Sequence, residues 1–111
     1  MSSEKKAIRK AFRDTCYKRD KYCCAMCGFK SSPENAEKEL DAHHITDRNL
    51  LPNGGYVKEN GISLCSECHQ KAEVFHSTGT ALEGFAPDDL YKKINSNYEK
   101  AVRASQALGS T

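Results

Sequence analysis

The sequence of 111 residues contains no tryptophan, only three prolines and only four phenylalanines. Hydrophobic residues make up 38%, which leaves little material for a large apolar core, and a chain this short forms one domain. No segment approaches the roughly 18 consecutive apolar residues of a membrane-spanning helix, and the first residues lack the apolar stretch of a signal peptide. We therefore expect one soluble, cytoplasmic domain that makes no use of a membrane.

Six cysteines are many for so short a chain, and four of them form two CxxC pairs. The CxxC spacing lets adjacent turns present two thiolates to one tetrahedral metal ion, and cytosolic thiols stay reduced. We predict one structural zinc site; disulfides or a redox-active CxxC pair are the alternatives. The predicted ligands are Cys24, Cys27, Cys65 and Cys68.

The other two cysteines, Cys16 and Cys23, are not expected to bind the metal. Cys16 falls at the edge of a predicted helix, where we expect it to be buried by packing. Cys23 competes with Cys24, but the x2 spacing and the following Gly28, which suits a tight metal-binding turn, favour Cys24.

The net charge of +2 conceals an uneven distribution of charge along the chain. Residues 1–30 carry nine basic and three acidic side chains, whereas residues 31–60 carry three basic and six acidic ones. A basic N-terminal third fits contact with a polyanion such as a nucleic acid, and a solvated helix face is the alternative.

Hydrophobic periodicity predicts helices at both ends of the chain and a short two-stranded unit followed by a helix between them. The N-terminal helix should bury a stripe made of Ile8, Ala11, Phe12 and Thr15. The predicted segments are a basic helical region over 1–22, a zinc-braced core over 23–79 with strands at 40–46 and 62–64 and a helix over 66–76, a C-terminal helix over 86–104 and a frayed tail over 105–111.

Three of the four histidines stand where they could act together. His43 and His44 end the first predicted strand, and His69 follows the second CxxC pair at the start of a helix. Side chains alternate along a strand, so one of the two neighbours could bind a metal ion while the other acts on a water molecule. Glu73 lies one helical turn after His69 and could reach the same ion. His76 lies a further turn away, and we expect it to pack at the surface, with DNA contact as the alternative.

The order of these motifs resembles the HNH endonucleases, the ββα-metal (His-Me finger) nucleases, over about residues 13–76. The likeness is to a zinc-containing branch found in phage and bacterial proteins, and it implies an α+β fold, a small ββα-metal domain with a four-cysteine zinc knot between flanking helices. The motifs that carry it are Arg19-Asp20-x-Tyr22-x-Cys24-x2-Cys27-Gly28, Asp41-Ala42-His43-His44-Ile45 and Asn60-Gly61-Ile62-Ser63-Leu64-Cys65-Ser66-Glu67-Cys68-His69.

The resemblance also implies roles for single residues. His44 matches the general base, and Asn60 matches the middle asparagine, which braces the loop between the strands. His43 and His69 match the ligands of one catalytic divalent cation; Glu73 is a further candidate ligand, with a solvated carboxylate as the alternative. Many members have Asp where this chain has His43, so Mg²⁺, Mn²⁺, Ni²⁺ and Zn²⁺ all stay open for that ion.

The implied activity is hydrolysis of phosphodiester bonds in double-stranded DNA, which leaves 5′-phosphate and 3′-hydroxyl ends. A double-strand break from one active site per chain would be simplest with a homodimer. The resemblance also suggests a phage packaging partner, and for a phage protein the location would be the host cytoplasm. The candidate DNA contacts are the cations Arg48, Lys71, Arg9 and Arg13.

The alternative function is a zinc-dependent module that binds DNA or another partner without catalysis. Such a module would need the four cysteines, but it would not need the ordered spacing of His44, Asn60 and His69.

Overall fold

The computed structural model describes residues 2–108, and their side chains from residue 4 onward. It has the expected α+β architecture. No helix in this part of the chain is long and apolar enough to cross a membrane. The elements are α1 (Ser2–Arg19), α2 (Ala36–Glu39), β1 (Leu40–His44), β2 (Gly61–Cys65), α3 (Ser66–Thr78), α4 (Pro87–Lys93) and α5 (Tyr98–Leu108), with short 3-10 turns at Arg48–Leu50, Pro52–Gly55 and Lys58–Asn60.

β1 and β2 pair antiparallel, and α3 begins at the residue that follows β2, which gives the expected ββα unit. The register places Leu40 opposite Cys65 and His43 opposite Ile62. Ile62 and Leu64 are fully buried, because helices pack on the sheet from more than one side. The histidines at the end of β1 are therefore held by a strand whose partner lies in the core.

α1 packs on the sheet through a different face from the predicted one. Of the four expected core residues only Phe12 is buried, and Ile8, Ala11 and Thr15 are exposed. The buried face is instead Phe12, Cys16 and Tyr17, so the expected burial of Cys16 is confirmed and the predicted stripe is wrong.

The close contact between α1 and β2 depends on Gly61. A Cβ atom built on Gly61 would lie 2.6 Å from the ring of Phe12 and would also clash with the sulfur of Cys16. Only a residue without a side chain lets the helix approach the strand this closely. The close packing of Phe12 and Cys16 against β2 thus requires glycine at position 61.

Arg19 and Asp20 fasten the end of α1 to β2. The guanidinium of Arg19 forms two hydrogen bonds of 2.8 Å with the carboxylate of Asp20 and donates to the carbonyls of Lys58 and Gly61 at 2.6 and 2.7 Å. Asp20 accepts the backbone N–H of Ser63 at 2.9 Å. Paired, half-buried charges that satisfy backbone groups fix the helix relative to the strand.

The C-terminal region differs from the single helix predicted over 86–104. The structure has two helices, α4 and α5, and the break contains Asn95 with a φ of 56°. Asn97 then accepts the backbone N–H of Lys100 at 2.8 Å, as an N-cap does. The helical periodicity continued across the break, so the sequence pattern alone did not reveal it.

The prediction of a frayed tail over 105–111 is wrong for residues 105–108. α5 continues to Leu108, and Ser105 is fully buried. The carbonyl of Ser105 accepts a hydrogen bond from the amide of Asn53 at 2.9 Å, which ties α5 to the loop between the strands. Residues 109–111 of the expected tail lie outside the described residues.

Candidate active site and metal centres

The four predicted zinc ligands come together at one point. The sulfur atoms of Cys24, Cys27, Cys65 and Cys68 lie within 4.8 Å of one another, and those of Cys27 and Cys65 are 3.7 Å apart. Sulfurs of a tetrahedral site with Zn–S bonds of about 2.3 Å are about 3.8 Å apart, so the cluster could hold zinc. Cys23 is outside it, and its thiol contacts the carbonyl of Lys21.

The surroundings of the cluster favour metal binding. Burial would raise the pKa of the Cys24 thiol, but backbone N–H groups of Cys27, Cys65 and Met26 bring it down to about 7. Thiolates are the form that binds zinc, so these N–H groups prepare Cys24 as a ligand. The pKa of Cys68 is raised by burial and by the neighbouring thiols, and a bound metal would have to displace its proton.

A second cluster forms where β1 meets α3. Oε1 of Glu73 lies 3.4 Å from Nδ1 of His43 and 3.2 Å from Nε2 of His69. His43 is buried, and its Nδ1 has no hydrogen-bond partner among residues 2–108. A buried nitrogen with no partner is costly unless a ligand completes it, so these three groups fit a metal ion.

Asp41 joins this cluster, although no role was predicted for its side chain. Its Oδ2 lies 3.2 Å from Nδ1 of His69, the ring nitrogen opposite the one that faces Glu73. A carboxylate on the far nitrogen orients a metal-binding imidazole and fixes its tautomer. The signal was available, because Asp41 and His43 are two residues apart on β1 and share a face of the strand.

His44 occupies a cage of aromatic side chains. Its ring stacks on Phe12 with the centroids 4.6 Å apart, and Tyr56 meets it edge-on at 4.7 Å. Burial, and then the nearby charge of Arg48, lower the pKa of His44 to about 4. Burial likewise lowers the pKa of His43, to about 3. Both pKa values lie well below the ordinary value of about 6.5, so both rings are neutral at pH 7.

The two nitrogens of His44 differ in what they can do. Nε2 is buried without a partner among the described residues, which leaves Nδ1 to meet a molecule in the pocket. That pocket is open, has a volume of about 310 Å³ and is lined by Ala42, His43, His44, Asp47, Arg48, His69, Glu73 and His76. The imidazole of His44 and the ligand-type groups therefore face the same space.

His76 is part of this pocket wall. Its Nε2 lies 3.0 Å from the carbonyl oxygen of His44 and can donate a hydrogen bond to it. The centroid of its ring is 5.2 Å from that of His43. The sequence analysis placed His76 at the surface or against DNA. The helical spacing separates His76 from His69 along α3. It did not reveal that the end of β1 lies beside the turn that carries His76.

Asn60 lies outside the pocket and is fully buried. Its Oδ1 accepts from the backbone N–H of Thr46 at 2.9 Å and from the hydroxyl of Tyr91 at 2.8 Å. Its Nδ2 donates to the carbonyls of Thr46 and Gly55 at 3.0 and 3.3 Å. This arrangement suits a brace for the loop between the strands, the role that the resemblance implies for Asn60. Tyr91 belongs to α4, and no motif pointed to it.

The candidate DNA-binding cations fall into two groups. Arg48 lines both the active-site pocket and a neighbouring groove, and Arg9 lines that groove. Arg13 and Lys71 line neither, and each forms an ion pair with a nearby glutamate. The structure thus brings two of the four candidates together beside the histidines.

Comparison with known proteins identifies the family of this central segment. The model of the family described as HNH endonuclease matches residues 24–75, which include both CxxC pairs, both strands and most of α3. Residues 24–75 thus match the HNH endonuclease family, and the resemblance seen in the sequence is confirmed over this segment. Neither the comparison with curated proteins nor that with solved structures gave a match.

Proposed function

We propose that this protein is a metal-dependent endonuclease that hydrolyses phosphodiester bonds in DNA. The observation that supports this most is the geometry of one pocket, in which Glu73 lies within 3.4 Å of a nitrogen of both His43 and His69 while the separate imidazole of His44 faces the same space. Apart from His76, the residues that line the pocket lie within the segment 24–75 that matches the HNH endonuclease family.

His44 acts as the general base in this proposal. Because its pKa is lowered, the ring is uncharged at neutral pH and free to accept a proton from the attacking water through Nδ1. Phe12 and Tyr56 hold the ring, and the contact from His76 to the carbonyl of His44 holds the backbone. The water then attacks phosphorus opposite the departing sugar oxygen.

His43, His69 and Glu73 hold the catalytic ion, with Asp41 orienting His69. A divalent cation there would polarise the scissile phosphate and stabilise negative charge on the leaving oxygen. Two imidazoles favour Zn²⁺, Ni²⁺ or Mn²⁺, whereas the carboxylate also accommodates Mg²⁺. Arg48, on the same pocket, would contact an adjacent phosphate.

Zinc on the four cysteines has a structural role in this account. Cys65 ends β2 and Cys68 lies in the first turn of α3, so the bound ion fixes His69, the next residue, relative to the sheet. Zinc thiolates persist in reducing compartments, which supports a cytoplasmic location, that of the host if the protein is encoded by a phage.

Cleavage of supercoiled plasmid tests the proposal. The protein is incubated with Mg²⁺, Mn²⁺, Ni²⁺ or Zn²⁺ in turn, and we expect cleavage with at least one of them and none in their absence. Nicked circles would indicate independent chains, whereas direct linearisation would indicate the homodimer, since each chain has one such pocket. DNA binding without cleavage under every metal would contradict the nuclease and favour the non-catalytic zinc module.

A further inference from the structure

A second cavity, of about 870 Å³, opens between α1 and the loop that connects the strands. Arg48 lines this cavity as well as the active-site pocket, so the two are neighbours. We call it the α1 groove, and the residues that define it are Lys5, Ile8, Arg9, Arg48, Tyr56 and Leu108.

The groove carries positive charge that the described part of the protein does not neutralise. Within residues 4–108, no ion pair involves Lys5, Arg9 or Arg48, and no acidic residue lines the groove. The hydroxyl of Tyr56 lies 3.4 Å from Nη1 of Arg48 and also interacts with Arg9, so the two guanidinium groups are close together. Three unpaired cations on one concave surface favour an anionic strand and oppose the approach of a second copy of the same face.

The same groove exposes large apolar side chains. Ile8 is 47% exposed and Leu108 is 42% exposed, and both line it. A fully paired duplex offers phosphates and base edges to a protein, but it keeps the faces of its bases stacked inside. Unpaired strands offer both phosphates and base faces, and proteins hold them by combining cations with aromatic side chains on which the bases stack. The groove offers Tyr56 together with the aliphatic Ile8 and Leu108 for such contacts.

We propose that the α1 groove binds an unpaired stretch of the DNA strand that flanks the scissile phosphate. Lys5 and Arg9 contact its phosphates, its bases lie against Ile8 and Leu108, and Arg48 marks the passage into the active-site pocket. The inference rests on the proposed nuclease function and adds to it a preference for DNA that is locally unpaired beside the cleavage point.

Binding is measured with the His44→Ala protein, so that the probes stay intact. The probes are a fluorescent duplex and the same duplex with a central bubble of mismatched pairs. We expect the bubble to bind about tenfold more tightly, as the stacking of one base suggests. Equal affinity for the two probes would overturn the inference. Because binding is read without cleavage, this failure is distinct from a failure of the plasmid assay.

Two further variants, made in the same protein, locate the preference in the groove. Ile8→Ser should reduce the preference several-fold, whereas its matched control Leu82→Ser, 43% exposed and outside the groove, should keep it. Arg9→Ala should weaken bubble binding and lower the salt slope by about one, unlike the exposed Lys18→Ala on the same helix. A preference that survives both Ile8→Ser and Arg9→Ala would overturn the inference, as would a dimer that Ile8→Ser dissociates.

Discussion

The amide of Asn60 uses both lone pairs of its oxygen and both protons of its nitrogen, in a fully buried position. Its partners come from three places, the start of the connecting loop at Thr46, the middle of that loop at Gly55, and α4 at Tyr91. One side chain therefore fixes the path of the chain just beyond His44. The functional value of this residue lies in the geometry it imposes on its surroundings.

Asn60→Asp should destabilise the protein by at least about 2 kcal/mol, because it removes both N–H donors and places a carboxylate against the carbonyls of Thr46 and Gly55. Urea unfolding followed by circular dichroism measures the change. The matched control is Asn49→Asp, at an exposed position, which should alter stability by less than about 0.5 kcal/mol. Equal stability of the two variants would contradict the role given to Asn60.

Asp41→Asn should lower the affinity of the histidine site for a divalent cation by about tenfold or more, because a neutral amide supports the imidazole of His69 less well than a carboxylate does. Calorimetric titration with Ni²⁺, on protein whose cysteine cluster is already loaded with zinc, measures this directly. Asp88→Asn, on the exposed surface of α4, is the control. An unchanged affinity in Asp41→Asn would exclude the orienting role.

At the scale of elements, the contact between α1 and β2 connects packing with the site. Gly61 allows Phe12 to lie against the strand, and the ring of Phe12 stacks on His44. Any change that moves α1 away from β2 therefore also loosens the cage around the proposed base.

Gly61→Ala should destabilise the fold by about 1–3 kcal/mol, since its Cβ would lie 2.6 Å from the Phe12 ring and α1 would have to shift. Thermal unfolding measures the loss. The imidazole resonances of His44 in an NMR spectrum should also shift, because the stacked ring of Phe12 moves with α1. A variant with unchanged stability and unchanged His44 resonances would show that the contact is looser than described.

Sequence reasoning succeeded where the signal is local and failed where a distant partner decides. Several site residues are close neighbours in the sequence: the two cysteines of each CxxC pair, the two histidines of β1, and His69 with Glu73. The element that carries each of these sets, and its periodicity, therefore predicted that the members lie close together. The close packing of α1 on β2 requires Gly61, which is distant from α1 in the sequence. The cage of Phe12 and Tyr56 around His44 could not be read from a motif for the same reason.

At the scale of the whole molecule, two clusters share the junction between the sheet and α3. The cysteine cluster joins the turn after α1 to the end of β2 and the start of α3, and His69 of the histidine cluster directly follows Cys68. Metal bound to the cysteine cluster would supplement a small core, because its binding free energy would become part of the folding free energy.

Cys65→Ser should therefore abolish the cooperative thermal transition, or lower its midpoint strongly, and a strong chelator should do the same to the unaltered protein. Cys23→Ser is the matched control, because Cys23 lies next to the cluster in sequence but does not belong to it, and it should melt as the parent does. A transition that survives both Cys65→Ser and the chelator would contradict a structural metal.

The most direct test of the nuclease assignment is the rate of plasmid cleavage by His44→Ala under the best metal, compared with the unaltered protein. We expect cleavage to fall by at least about a hundredfold, the usual contribution of a general base, while zinc binding, cooperative folding and DNA affinity are retained. Cleavage at the parental rate by rigorously purified His44→Ala protein would contradict the account.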